Sequence, residues 1–270
     1  MKNTVKLLAL VLLASMQACT KTEVDSAIKT SNSIEETLFS KYLKVQNAKE
    51  GSIIINSNNR NFRNKFTYEI KAGLQNPIYD EVDISGVSLI PYLHNGASTN
   101  QYVLKNDISD QSIADLFGKT LQINLKKGNL NARSDNSIYN PFSFNLNGGP
   151  RNTALSWNAD NNNGKVYILI LFQPNRAINE NFAAWGSVER YIETDDDGFY
   201  QLTSSDFNGV PPGGNVDVLV ARGRTAIIGG QTNGQSGISV QAYSSSTVTG
   251  VYGGGGGGGT GSNGPTLYVQ

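Results

Sequence analysis

Short runs of alternating apolar and polar residues fill most of the chain between residues 51 and 242. In the run 66–72, phenylalanine, tyrosine, isoleucine and alanine alternate with threonine, glutamate and lysine, and the run 121–126 repeats the pattern. Because alternate side chains of a strand point to opposite faces, each run predicts a half-buried β-strand. Glycine, asparagine and serine, which favour turns, separate the runs. The pattern predicts an all-β protein.

The strand spacing and the scarcity of helical patterns favour antiparallel β-sandwiches of the immunoglobulin-like kind. We expect one or two such domains after a short N-terminal helix. In chain order the predicted regions are a leader (1–18), a tether with a short helix (19–50), a first β domain (51–127), a linker (128–136), a second β-sandwich domain (137–250), a glycine-rich tail (251–264) and a candidate edge strand (265–270).

Two features of the second β region predict its local structure. Residues 166–172 (VYILILF) are apolar at every position, which indicates a strand that is covered on both faces. The polar turn 158–164 (NADNNNG) and the turn at Asp197-Gly198 each predict a hairpin between the strands that flank them.

The helix is predicted over residues 33–45 (SIEETLFSKYLKV). Ser33 and Glu36 form a capping box. The apolar side chains recur at helical spacing and give the helix one apolar stripe, made of Ile34, Leu38, Phe39, Tyr42 and Leu43. The helix either docks on the first β domain or spaces it from a membrane, and the stripe favours docking.

Net charge argues against one class of partner. Removal of residues 1–18 deletes Lys2 and Lys6, so 20 basic residues (22 − 2) oppose 22 acidic ones, a net charge of −2. Such a chain has no basic field for nucleic acid, and we expect no nucleic-acid partner.

The N-terminal residues predict an export signal. Two lysines precede the apolar run 7–14 (LLALVLLA), and Ala18 stands before Cys19. A basic start, a short apolar run and a small residue describe a secretory signal, and the run is too short to span a bilayer. Cys19 is the only cysteine of the 270 residues. Without Cys19 as an attachment site, the segment would be a plain cleaved secretory signal.

The residues around Cys19 resemble a bacterial lipoprotein signal, although Gln17 departs from the usual small residue. The resemblance implies that Cys19 is acylated and becomes the first residue of the mature protein, which joins it to the membrane. Thr20, in place of an aspartate, implies delivery to the outer membrane. The asparagine- and glycine-rich composition, and the pattern of residues 140–225, resemble uncharacterised surface lipoproteins of the Bacteroidota type. That likeness implies a fold and no activity.

An acidic cluster suggests calcium as a cofactor. Glu193, Asp195 and Asp197 alternate and Gly198 follows, as in the first half of a calcium loop. The twelfth position of such a loop would be Ser204, where a bidentate carboxylate is needed. The alternative is a hydrogen-bonding turn rich in aspartate.

Aromatic residues offer a ligand surface. Trp157 continues an apolar strand face, which favours burial, whereas Trp185 lies in the irregular stretch 179–187 and is the candidate ligand-binding residue. His94 is the only histidine and lies in a predicted turn, so the sequence offers neither a histidine zinc site nor a serine hydrolase motif.

These observations predict a lipid-anchored envelope protein that is not an enzyme and that serves in binding, adhesion or assembly, with a glycan or an envelope protein as partner. An alternative is a carbohydrate-binding accessory lipoprotein of a polysaccharide-uptake system. A secreted glycan-degrading enzyme is a third option, and it would need two carboxylates roughly 5–10 Å apart across a cleft.

Overall fold

The computed structural model describes residues 48, 50–60, 65–75, 79–105, 108–160, 162, 164–174, 182, 184–229, 237–253 and 265–270, with the side chains of 130–136 left out. The chain divides into two compact units, Met1–Thr37 and Leu38–Gln270, and every described residue lies in the second. The leader, Cys19, the tether, the predicted helix 33–45 and residues 254–264 of the tail lie outside the described residues.

The described residues form sixteen strands and one short helix, so the expectation of an almost all-β protein is confirmed. The elements are β1 (Gly51–Arg60), β2 (Phe66–Leu74), β3 (Glu81–Ile84), β4 (Val87–His94), β5 (Ala97–Leu104), α1 (Asp110–Ala114), β6 (Lys119–Lys127), β7 (Leu130–Asn140), β8 (Leu146–Asn147), β9 (Arg151–Asn152), β10 (Ala154–Trp157), β11 (Lys165–Phe172), β12 (Val188–Asp195), β13 (Phe199–Gln201), β14 (Asn215–Ile228), β15 (Ile238–Tyr252) and β16 (Leu267–Val269).

One large sheet dominates the structure. Its strand order is β12-β11-β14-β15-β1-β2-β5-β4-β3-β6-β7, and β16 joins it by pairing with β15 and with β9. A second sheet contains β13, β10 and β8. The expectation of purely antiparallel sheets was wrong, because β1 pairs in parallel with β15. A parallel pair needs a long connection, and here almost the whole β region lies between the two strands.

Both predicted β regions contribute strands to this large sheet. β1, from the first region, lies directly beside β15, from the second. Residues 128–136, interpreted above as a linker, contain the turn at Gly128 and the first part of β7. The division into two domains stays a prediction, but the strands that would belong to each are hydrogen-bonded neighbours.

Two turns that the sequence predicts as hairpins instead carry the chain between the sheets. The turn after Trp157 leads from β10 in the small sheet to β11 in the large sheet, and the turn at Asp197-Gly198 leads from β12 to β13. The sequence identifies each turn correctly but not its partners. β10 pairs with β13 in the small sheet, and β11 pairs with β12 in the large sheet. Neither turn therefore joins two strands that pair with each other.

Two hydrophobic clusters form the interior. The first fills the part of the large sheet from β1 to β7, and the second lies between the small sheet and β11, β14, β15 and β16. β14 and β15 serve both clusters: Ile228, Ile238 and Val240 belong to the first, whereas Val220 and Val248 belong to the second. Both long strands therefore link the two clusters covalently.

A belt of buried polar residues crosses the sheet between the clusters. It consists of Ser57 and Asn59 on β1, Arg222 on β14, and Ser244 and Ser246 on β15, none of them more than 2% exposed. The strand register places Arg222 opposite Ser244 and Ser244 opposite Ser57. The Ser57 and Ser244 hydroxyls lie 2.6 Å apart. We name these five residues the polar belt.

The single described helix is short and capped. Ser109 Oγ accepts a hydrogen bond from the Ser112 amide at 3.2 Å, which satisfies one free amide of the first turn of α1. Gly118 follows with φ of +76°, and a Cβ there would collide with the Phe142 ring. Within the described residues no helix has the length and apolar character needed to cross a bilayer.

The polar belt yields a stability prediction. Ser244 Oγ accepts a hydrogen bond from the Phe144 amide and contacts the Ser57 hydroxyl. In Ser244→Ala, both buried groups lose their partner, which should lower the free energy of unfolding by about 1–3 kcal/mol. Urea unfolding measures the change. Ser98→Ala, at an exposed position of β5, is the control. Equal stability of both variants would contradict a structural role for the belt.

Candidate binding site

The site is built around a buried ion pair. Arg222, on β14, and Asp196, which directly follows β12, have side chains that are each 3% exposed. Arg222 Nη1 donates to both carboxylate oxygens of Asp196, at 3.0 and 3.2 Å. Removing two charges from water is costly, and the cost is offset only when the pair is close and its remaining donors and acceptors are satisfied.

Two backbone carbonyls also accept hydrogen bonds from the Arg222 guanidinium. Arg222 Nε donates to the Phe142 carbonyl at 3.2 Å, and Nη1 donates to the Asn158 carbonyl at 2.8 Å. The guanidinium carbon lies 5.0 Å from the centre of the Phe144 ring, within the range of a cation–π contact. Nη2 is buried and has no hydrogen-bond partner among the described residues. The two N–H groups of Nη2 are therefore unsatisfied within the described part of the chain.

The aspartate is held by the turn that precedes β11. Trp157 Nε1 donates to Asp196 Oδ1 at 2.9 Å, and the Asp196 amide donates to the Gly164 carbonyl at 3.1 Å. The ion pair thus joins two of the segments that cross between the sheets: the one after Trp157 and the one at Asp196. Its burial fixes where the chain changes sheet.

A cavity of about 340 Å³ opens beside the ion pair, and we call it the arginine cavity. It lies between the beginning of β11, the middle of β14 and the segments after Trp157 and at Asp196. Its polar lining includes Asp160, Asn162, Lys165, Tyr167, Arg222 and Arg224. A concave surface with several converging polar groups is the usual form of a small-molecule site.

Asp160 organises one wall of the cavity although it is only 3% exposed. It accepts hydrogen bonds from Tyr139 Oη at 2.9 Å, from Asn162 Nδ2 at 2.7 Å and from the Phe142 amide at 3.3 Å. Burial, followed by the hydrogen bond and the charge of Asp160, raises the pKa of Tyr139 to about 12. The phenol therefore stays protonated at neutral pH and acts as a donor.

Arg224 and Lys165 place cations at the opening. Arg224 is exposed; its Nη2 donates to the Asn162 carbonyl at 3.2 Å, and its guanidinium lies 5.6 Å from the Tyr139 ring centre. Lys165 Nζ is 2.6 Å from Asp195 Oδ1 on the neighbouring strand. Arg224 keeps its guanidinium accessible to a ligand, whereas Lys165 already has an acidic partner.

Of the predicted calcium residues, Glu193 and Asp195 lie on β12, and Asp197 lies in the turn that follows it. Glu193, Asp195 and Asp197 are all exposed. Asp195 pairs with Lys165, and Asp197 Oδ1 accepts from the Phe199 amide at 3.0 Å. Across the described part of the chain, no three His, Cys, Asp or Glu side chains are grouped closely enough to hold a metal ion. The calcium site stays a prediction.

The two tryptophans differ in burial. Trp157 is 5% exposed and belongs to the second cluster, whereas Trp185 is 46% exposed. Trp185 therefore has a free face, but the structure does not bring it together with a second tryptophan. His94 lies at the exposed tip of the β4–β5 hairpin, where Asn95 and Gly96 have positive φ. Cys19 lies outside the described residues.

Arg222 is a site residue that the sequence patterns above did not predict. A signal was present, because Val216, Val218 and Val220 alternate on the buried face of β14 and Arg222 continues the same phase. A charged residue in the buried phase of a strand needs a partner. The partner Asp196 is not identifiable from the sequence, since it lies in an acidic run whose other members are exposed.

Comparison with known proteins found nothing: no protein-family model, curated protein or solved structure matches the chain.

The ion pair yields the second prediction. In Asp196→Ala, the Arg222 charge stays buried without its counter-ion, which should lower the free energy of unfolding by about 3–5 kcal/mol. Urea unfolding of both chains measures the difference. Asp195→Ala is the matched control, because the neighbouring aspartate is 75% exposed and its pair with Lys165 contributes little. A similar loss in both variants would contradict the role of the buried pair.

The third prediction concerns pH. The Tyr139 pKa of about 12 lies above the value of about 10 for an unfolded tyrosine. The buried phenol with its hydrogen bond to Asp160 therefore contributes its full stability below pH 10 and loses it as pH rises through 12. The stability difference between the natural chain and Tyr139→Phe should be constant from pH 7 to about pH 9 and then shrink. Tyr92→Phe, at a 46% exposed position, is the control. A constant difference up to pH 12 would refute the assignment.

Proposed function

We propose that this protein is a lipid-anchored lipoprotein of the outer membrane, with a non-enzymatic binding role, and that its ligand binds in the arginine cavity. The anchor rests on the sequence: a short apolar leader precedes Cys19, the only cysteine. A lipoprotein cysteine of this family carries three acyl chains, and two are enough for stable attachment. The resemblance of the composition and of residues 140–225 to surface lipoproteins of the Bacteroidota type supports the same localisation.

The observation that carries the binding proposal is the arginine cavity. It combines a concave shape, the accessible guanidinium of Arg224 and the buried Arg222, whose Nη2 lacks a partner among the described residues. Unsatisfied buried donors are rare in folded proteins, and an unseen water or ligand is one reason for them. The cavity therefore suits a small polar ligand or a polar end of a larger one.

The finer fold assignment belongs to the same proposal. The small sheet packs over β11, β14 and β15 with the second cluster between them. We propose that this half is a sandwich related to the immunoglobulin-like kind. Binding, adhesion and assembly are common uses of such surfaces, but a fold alone assigns none of them.

A carbohydrate-binding role in polysaccharide uptake is the second candidate. The specific observation in its favour is the 46% exposed Trp185, whose ring can stack on a sugar. A glycan-degrading activity has less support. Asp160 and Asp196 line the cavity, yet each already accepts several hydrogen bonds from the protein. Neither is placed as a free acid or base.

The anchor leads to the fourth prediction. Cys19→Ala should move the protein from the membrane fraction to the soluble fraction, because no acyl chain can be attached. Thr20→Ala is the matched control and should remain in the membrane fraction. Fractionation followed by immunoblotting gives the answer. A Cys19→Ala chain that is processed normally and stays in the membrane would disprove the lipoprotein assignment.

The cavity leads to the fifth prediction, tested on a glycan array containing neutral and acidic sugars. Arg224→Ala should weaken binding about tenfold or more, the equivalent of one lost hydrogen bond from a charged group. Arg190→Ala is the matched control, because Arg190 is also exposed and also donates to one backbone carbonyl, that of Asn208. Loss with Trp185→Ala but not with Arg224→Ala would favour the second candidate and contradict the cavity.

A further inference from the structure

Arg224 is held from two sides, although it is an exposed residue. Its Nη2 donates to the Asn162 carbonyl at 3.2 Å, and its guanidinium carbon lies 5.6 Å from the centre of the Tyr139 ring. A surface arginine normally samples several rotamers, and fixing one of them costs conformational entropy. The two contacts offset part of this cost before any ligand binds. Arg224 is therefore a partly preorganised cation in the lining of the arginine cavity.

One buried carboxylate positions both groups that hold Arg224. Asp160 accepts hydrogen bonds from Tyr139 Oη at 2.9 Å and from Asn162 Nδ2 at 2.7 Å. Asp160 is 3% exposed and also accepts from the Phe142 amide at 3.3 Å, which fixes the carboxylate in turn. Binding groups are held most precisely when their supports are themselves locked by hydrogen bonds. The contacts therefore run from Asp160, through Tyr139 and Asn162, to Arg224 at the cavity.

The cavity has spare donors, whereas its acidic oxygens already have partners. Asp160 and Asp196 each accept three hydrogen bonds from the protein. Arg222 keeps both N–H groups of Nη2 without an acceptor among the described residues. Arg224 donates one N–H to a carbonyl, and its other N–H groups find no acceptor in the same part of the chain. A ligand that complements this lining must supply acceptors.

Charge favours the same kind of ligand. The other two cations of the lining, Arg222 and Lys165, already have acidic partners. Arg224 has none within the described residues. Asp160 carries a negative charge without a cationic partner there, but it is buried and its oxygens are occupied by three protein donors. The charge that a ligand can contact directly is therefore the guanidinium of Arg224, which attracts an anion.

A carboxylate matches both requirements. It is negatively charged, it carries only acceptors, and its two oxygens fit the planar fork of a guanidinium. We propose that the ligand of the arginine cavity is an acidic sugar whose carboxylate binds Arg224. The volume of about 340 Å³ lies at the small end of the range for ligand sites, and the lining adds amide and hydroxyl groups, as in Asn162 and Thr225, for sugar hydroxyls. This inference deepens the proposed function and rests on it, because it needs a ligand in the cavity.

The support of Arg224 has its own test, in which Tyr139 is a positioning residue. Tyr139→Leu removes the ring beside Arg224, whereas Tyr139→Phe keeps the ring and loses only the hydrogen bond to Asp160. In a ligand-observed NMR titration of the full chain, the leucine variant should bind glucuronate more weakly than the phenylalanine variant. Melting curves show that both variants are folded. Glucuronate binding by the leucine variant at the natural affinity would overturn the positioning role.

The same titration tests the carboxylate by comparing glucuronate with glucose, which has a hydroxymethyl group in place of the carboxylate. Glucuronate should bind about tenfold more tightly or better, the equivalent of one charge-assisted hydrogen bond. Arg224→Met should remove this preference, and Arg224→Lys, which keeps the charge but not the fork, should retain part of it. Arg190→Met is the matched control, because Arg190 is also exposed and also donates to one carbonyl.

The outcomes separate this inference from the proposed function. Equal binding of glucose and glucuronate, both lost in Arg224→Met, would overturn the carboxylate and leave the cavity as the binding site. Glucuronate binding that Arg224→Met does not change would contradict the cavity itself. Tighter binding of glucose 6-phosphate or of N-acetylglutamate than of glucuronate, or no binding of glucuronate, would overturn the assignment to an acidic sugar.

Discussion

A charged side chain in the buried phase of a strand constrains the whole architecture. Arg222 continues the apolar face of β14, so its guanidinium must find its partners inside the protein. It finds Asp196 and the carbonyls of Phe142 and Asn158. Those groups lie in the segments that pass between the two sheets. Satisfying one arginine therefore holds together three of the segments that cross between the sheets, those between β7 and β8, β10 and β11, and β12 and β13.

Much of the β content follows from local pattern, whereas the pairing does not. The alternation in residues 66–72 predicts β2, and the apolar run 166–172 predicts a strand buried on both faces. The parallel pair of β1 and β15 joins residues that are 187 positions apart, as in the contact between Ser57 and Ser244. No local signal encodes such a pair. The turns could be predicted because turn chemistry depends on neighbouring residues. The pairing of the strands around them could not, because sheet membership depends on residues that are distant in the sequence.

The candidate site, like the fold, could be predicted from the sequence only where local pattern decides it. Trp185 lies in an irregular segment, and its exposure could be predicted from that. The arginine cavity could not, because Asp160, Arg222 and Arg224 converge only after β7, β11 and β14 have been brought together. Its position beside the ion pair also means that a ligand would lie against Arg222 and Asp196.

The central claim is that β14, β15 and the polar belt join both hydrophobic clusters into one cooperative structure. Hydrogen exchange at increasing urea, read by mass spectrometry, tests it by comparing peptides of β3 and β6 in the first cluster with peptides of β10 and β11 in the second. We expect both sets of amides to lose protection at the same urea concentration. Loss of protection at two separate concentrations would contradict the claim and show that each cluster is stable without the other.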